Sequence, residues 1–173
     1  MGILVVLLVA TTATATREVI KNFGNIKVSV DQVCSRTRNP GFCMGVLPPG
    51  VANHNLETVS RAVINQAMVE AIEIYSQIKD WIPQAAGGQQ GHLNYCLRLY
   101  GSAINSVKAA RDLLGSKQYL GLNRKTVEIA NYANGCESSF SSSPRAVSPL
   151  TQLNSDFSNL VDVLSAISYL LSH

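Results

Sequence analysis

The sequence predicts an all-α fold, an up-and-down antiparallel four-helix bundle with an N-terminal α-hairpin extension and two disulfides. Three observations carry this expectation. Four long segments repeat apolar residues at steps of three and four and are joined by short loops, which is the signature of an antiparallel bundle. No segment shows convincing strand alternation. Hydrophobic residues make up 46% of the chain, aromatic residues 6% and charged residues 14%, so the core is built mostly from Ala, Val, Ile and Leu. At 173 residues the chain suits one domain with a sizeable core.

The elements follow in order. Residues 17 to 47 form an extension, with short helices folded into a hairpin over about 28–47 that turns at Asn39-Pro40. Pro48-Pro49-Gly50 breaks whatever precedes it, and the bundle is expected over about 53–173. Asn55 caps the first bundle helix, Glu57 suits its positive end, and Leu56, Val59, Val63, Ala67, Ala71, Ile74 and Ile78 form its stripe. "IPQAAGGQQG" at 82–91 ends it. The second stripe is Leu93, Cys96/Leu97, Tyr100, Ile104, Val107, Arg111 and Leu114, stopped by Gly115; the third is Leu122, Thr126, Ile129, Ala133, Cys136 and Phe140. After a Ser-rich stretch, Ser148 reads as a cap with Pro149 as first helical residue, followed by Leu150, Leu153, Phe157, Leu160, Leu164, Ile167 and Leu171.

The N-terminus points to secretion. Ile3 to Ala10 is an uncharged apolar run, too short to span a bilayer, followed by an Ala-x-Ala at Ala13 to Ala15. Residues 1–15 therefore read as a signal peptide and 16–173 as the mature single domain, although the leading Met-Gly lacks the usual positive charge. The net charge of +3 comes from scattered residues without a basic run, so nucleic acid is not an expected partner, and no other stretch reaches membrane-spanning length. A monomer is the expected free state.

Cys34, Cys43, Cys96 and Cys136 are the only cysteines. In a secreted chain they are most simply two disulfides, for which three pairings exist. Sequential pairing closes one short and one medium loop; it suits the layout, because antiparallel neighbours bring Cys96, near the start of the second bundle helix, to Cys136, near the end of the third. The spacing between Cys34 and Cys43 is neither a zinc knuckle nor a C-x-x-C redox motif. No G-x-S-x-G, H-E-x-x-H or Gly-rich phosphate loop is present. His54, His92 and His173 read as surface histidines at two helix starts and the last residue. No catalytic residue, metal or cofactor is expected.

The sequence resembles the plant invertase and pectin methylesterase inhibitor family. "CSRTRNPGFCMGVL" at 34–47 is similar to its C-x-x-T-x-x-P-x-x-C-x-x-x-L, "CLRLYGSAINSVKAARDLL" at 96–114 to C-x-x-x-Y-x-x-A-(x)n-A-x-x-L, and "CESSF" at 136–140 follows. The resemblance runs from about residue 28 to the end. It implies a noncatalytic protein of the plant apoplast and cell wall that blocks an enzyme's active site in a reversible one-to-one complex. The implied partner is pectin methylesterase, with acid invertase as the alternative. Invertase inhibitors share a Pro-Lys-Phe before the third bundle helix; Lys117-Gln118-Tyr119 stands there instead, and Tyr119-x-x-Leu122-Asn123 looks more like the esterase branch. In that branch the contact surface carries acidic residues and a threonine around the inter-helix disulfide. Carried over by position, the partner-binding places are Ser102, Asn105, Gly135 and Ser138, all departures from the pattern, with Arg98 where an acidic residue is common. Lost carboxylates remove charge-assisted hydrogen bonds. A weaker inhibitor, another target, or a scaffold that has lost its target are the competing expectations. A lipid-transfer-type carrier is disfavoured, because that fold needs eight cysteines and a hollow core.

Overall fold

A computed structural model describes residues 29–47 and 55–173 of the chain. The expected signal peptide, His54 and the start of the bundle segment near Asn53 lie outside them. Among the described residues six α-helices follow one another: α1 Val30–Cys34, α2 Pro40–Val46, α3 Leu56–Trp81, α4 Gly88–Gly115, α5 Tyr119–Ser139 and α6 Thr151–Ser172, with a 3-10 turn at Ile82–Gln84. Helices α3 to α6 form the bundle. Each packs on its neighbours in the cyclic order α3, α4, α5, α6 and back to α3, so α4 lies diagonal to α6. The all-α expectation holds, with the hairpin and both disulfides in place.

Local chemistry sets the ends. The Asn55 side chain accepts a hydrogen bond from the Thr58 amide at 2.8 Å, satisfying one of the orphan donors of α3. We expect Asn55→Ala to cost about 1 kcal/mol in urea unfolding, with no change in helix content. Helix α4 starts earlier than the sequence suggests. Gly87 takes φ 35°, which turns the chain within one residue and lets Gly88 enter the helix at once. Gly88 also lies hard against the segment before α6, where a Cβ would stand 3.0 Å from Pro144 Cγ. At α6 the sequence expects Pro149 as first helical residue, but the helix begins at Thr151. Ser148 Oγ accepts from the Leu150 amide at 3.2 Å, and that turn precedes the helix instead of opening it.

The stripes are the core, with one correction. On α4 the buried seam is Leu93, Cys96, Tyr100, Ala103, Val107, Ala110 and Leu114, alternating steps of three and four without a break. Ile104 is half-buried and Arg111 exposed, although the sequence places both in the stripe. Small Ala103 and Ala110 hold the seam because they fall on its register of three and four, and both are fully buried; spacing decides, and side-chain bulk misleads. At the centre, the fully buried rings of Tyr100 and Phe157 lie 5.6 Å apart.

Ser29 and Gln32 form a capping box on α1, and the Asn39 side chain accepts from the Phe42 amide at the start of α2, with Pro40 at the first helical position. Cys34 and Cys43, with Cα atoms 5.4 Å apart, close this hairpin. It rests on α6, where the Arg38 amide donates to Asp162 Oδ2 at 2.7 Å and the Arg36 guanidinium stands 4.9 Å over the Tyr169 ring.

Candidate functional site

Helices α4 and α5 are antiparallel and tied twice. Near one end Cys96 and Cys136 bring Cα atoms to 4.7 Å. Further along, Glu128 of α5 accepts from Ser106 of α4 at 2.7 Å, from Tyr132 at 2.9 Å and from Lys125 at 2.6 Å. Those bonds, that of Lys125 foremost and Ser106 next, hold the Glu128 carboxyl down at about 2. The two ties fix the register, so outward side chains of the two helices form one continuous ridge.

On α4 the exposed row is Tyr95, Arg98, Ser102 and Asn105, at steps of three and four; the expected outward placement of Ser102 and Asn105 is what the burial gives. On α5, Ser138, Asn131 and Arg124 share a face at steps of seven, and all three are exposed. Gly135 lies on the inner edge of this row, half-buried. A Cβ there would come 3.3 Å from Leu99 Cδ1, so its absence brings α5 close to α4 beside the disulfide. Arg98 stands 5.5 Å over the Tyr95 ring, which is 40% exposed. Beside it opens a shallow hollow of about 420 Å³ lined by His92, Tyr95, Gly135, Ser138, Ser139 and Ser142. The structure thus brings Arg98, Ser102, Asn105, Gly135 and Ser138 onto one surface.

Lys117, Gln118 and Tyr119 are elsewhere. They lie in the turn between α4 and α5, about 30 Å from Cys96 along the helix axis. Lys117 adopts φ 58°, and the Tyr119 hydroxyl donates to Glu57 of α3. Burial first, and then this bond, push the Tyr119 phenol up to about 12. This group fastens the far end of the bundle to the start of α3.

His92 is a correction to the surface reading: it is 8% exposed, with Phe140 5.0 Å away and Nε2–H donating to the Pro144 carbonyl at 2.8 Å. The early start of α4 carries His92 beneath the segment that precedes α6. Sequence reasoning also missed Tyr95 and Arg124 as members of the ridge. The signal was present as a step of three from Tyr95 to Arg98 and of fourteen from Arg124 to Ser138, but neither residue type is diagnostic alone.

Among the described residues no group of three His, Cys, Asp or Glu side chains is placed to hold a metal ion, and no helix is long and apolar enough to cross a membrane. The distinctive surface is a ridge of two helices. That makes the class of the molecule a disulfide-tied helical bundle presenting a polar two-helix face.

The chain belongs to the plant invertase/pectin methylesterase inhibitor family, whose model matches residues 28–167. It is 29% identical over 145 residues to a pectinesterase inhibitor from Actinidia deliciosa, covering 82% of this chain and 78% of that one. It is also 29% identical over 138 residues to a Platanus acerifolia protein named "Putative invertase inhibitor", covering 77% and 76%. The crystal structure of a mutant form of a pectin methylesterase inhibitor from Arabidopsis shares the fold, with a TM-score of 0.72 at 21% identity over 81% of this chain and 95% of that one.

Proposed function

We propose that this protein is a noncatalytic inhibitor of a plant pectin methylesterase, acting in a reversible one-to-one complex that covers the enzyme's substrate cleft. It works as a secreted monomer in the apoplast and cell wall, after removal of residues 1–15. The observation that carries the reading is family membership across most of the chain, with a relative named as a pectinesterase inhibitor aligned along the bundle. The ridge of α4 and α5, with Arg98, Ser102, Asn105, Gly135 and Ser138, is the docking face in this proposal. It is rigid, being tied by the Cys96–Cys136 bridge and the Glu128 bonds, so little ordering entropy is lost on binding. The turn at Lys117, Gln118 and Tyr119 makes a secondary contact at most, because it sits at the opposite end of the helices.

Acid invertase is the second reading, supported by equal identity to the Platanus relative. Titrating the purified protein into a plant pectin methylesterase and a plant acid invertase at mildly acidic pH separates the two. The proposal expects residual esterase activity to fall toward zero near one equivalent. Loss of invertase activity alone would select the second reading, and activity retained by both enzymes at micromolar excess would leave a scaffold without these targets. The triple change Ser102→Asp, Asn105→Asp and Ser138→Asp then probes the face, and unchanged esterase binding would show that the complex forms elsewhere.

A further inference from the structure

We infer that the seam between α3 and α6 is an acid-strengthened joint, made firmer when Glu70 takes up a proton opposite Asp156. It is a property of the bundle itself and holds whether or not the proposed inhibitor function does.

Helix α6 brings two acids to the bundle, Asp156 and Asp162, and no lysine or arginine. Asp162 is engaged by Arg38 of the hairpin. Asp156 is half-buried and accepts from Gln152 of its own helix at 2.9 Å. Across the seam Glu70 of α3 is placed alike: it is half-buried and accepts from Gln66, one turn back on its own helix, at 3.0 Å. Among the described residues no ion pair joins α3 to α6; those that form are Arg38–Asp162, Lys117–Glu57 and Lys125–Glu128. The cations of α3, Arg61 and Lys79, each stand nine positions from Glu70, about 13 Å along the axis. Those of α4, Arg98, Lys108 and Arg111, are exposed and form no ion pair with it.

The charges close to Glu70 therefore share its sign. Burial foremost pushes its carboxyl up, the Gln66 bond pulls it back, and Asp156 and then Glu73 push it further. From α4 the facing group is the Tyr100 hydroxyl, which is neutral; burial first, and then Glu70 and Glu137, push it up. A carboxyl raised on folding adds stability that is fully present below its unfolded pKa and is lost as pH rises through the folded one.

Glu137 of α5 works in the opposite sense. Its bonds from Ser148, Thr151 and Asn154 favour the charged form and weaken when it is protonated. Both carboxylates bear on one layer of the bundle, because Tyr100 feels the charge of each and donates to Asn154 of α6 at 2.7 Å. As pH falls, α6 loses part of its hold on α5 and gains a firmer one on α3. The bundle then keeps its stability further into acid than Glu137 alone would allow.

The test is urea unfolding of the full chain at neutral pH and at about pH 4, just below the ordinary glutamate value. Glu70→Gln keeps the size of the side chain and removes its charge. It should raise the urea midpoint by about 0.2 M at neutral pH and give no gain at about pH 4. Asp156→Asn should shrink the gain from Glu70→Gln, because the two charges repel across the seam. Carboxyl NMR supplies a reading that does not depend on unfolding: the titration midpoint of Glu70 should fall in Asp156→Asn. Glu57→Gln, which removes a paired carboxylate at the start of the same helix, is the control and should give no gain at neutral pH. If Glu70→Gln lowers the midpoint at neutral pH, or gains as much at about pH 4, acid does not strengthen the seam. The inference is also overturned if the two substitutions are strictly additive, or if the Glu70 titration does not move in Asp156→Asn.

Discussion

Cys96→Ala with Cys136→Ala should lower unfolding free energy by about 4 kcal/mol, because the bridge closes a loop of 40 residues and its loss returns that freedom to the unfolded chain. For a chain of this length the melting temperature should drop by about 8–16 °C. The effect on function should be larger than stability alone explains, since the same bridge sets the register of the two rows on the ridge. Cys34→Ala with Cys43→Ala closes a loop of only 9 residues and should cost about 2.5 kcal/mol while leaving enzyme binding intact at 25 °C. Urea unfolding followed by circular dichroism gives both values. A loss below about 1 kcal/mol for the first pair would mean that packing of α4 on α5 alone holds the register.

Asn154→Ala should cost about 3 kcal/mol, although no periodicity marks Asn154 as important. Its side chain is buried and joins three elements. Tyr100 of α4 donates its hydroxyl to Asn154 Oδ1 at 2.7 Å, and Asn154 Nδ2 donates to Glu137 Oε2 of α5 at 2.7 Å. Truncation strands the Tyr100 hydroxyl in a core where it is 0% exposed, and removes a donor from a carboxylate. Tyr100→Phe/Asn154→Ala should recover part of the loss, because the stranded hydroxyl is gone; strict additivity would disprove the link. The network is also acid-sensitive. Burial pushes the Glu137 carboxyl up, but bonds from Thr151, Asn154 and Ser148 outweigh it and hold the group below the ordinary carboxylate value. A carboxyl lowered on folding adds stability above its unfolded pKa and loses it as pH falls through the folded one. Glu137→Gln should therefore be less stable than wild type at neutral pH, with the gap closing as pH falls below the ordinary carboxylate range.

The bundle was readable because its information is periodic. Core positions such as Leu122, Ile129 and Ala133 announce themselves by spacing, and Asn55 and Asn39 by cap chemistry. What escaped was decided by distant contacts. His92 looks like a helix-start residue until Pro144 folds over it, and Thr151 replaces Pro149 as the start of α6 because Ser148 and Glu137 organise the preceding turn. Arg111 was drawn into the stripe by position, whereas Ala110 occupies the seam. Ridge residues were the least legible. Ser102 and Asn105 came from resemblance, and Arg124 joins them only once the Ser106–Glu128 bond fixes which turn of α5 faces which turn of α4.

The seat of the hairpin on α6 gives the molecule a handle on the side away from α4. Its fastenings, Arg38 to Asp162 and Arg36 on Tyr169, are all to the helix diagonal to α4. A tether, dye or fusion partner attached through Met44, which is exposed on α2, would hang from that handle and leave Arg98 and Ser102 unobstructed. The protein can therefore be immobilised by its hairpin with the outward row of α4, Arg98, Ser102 and Asn105, turned away from the support.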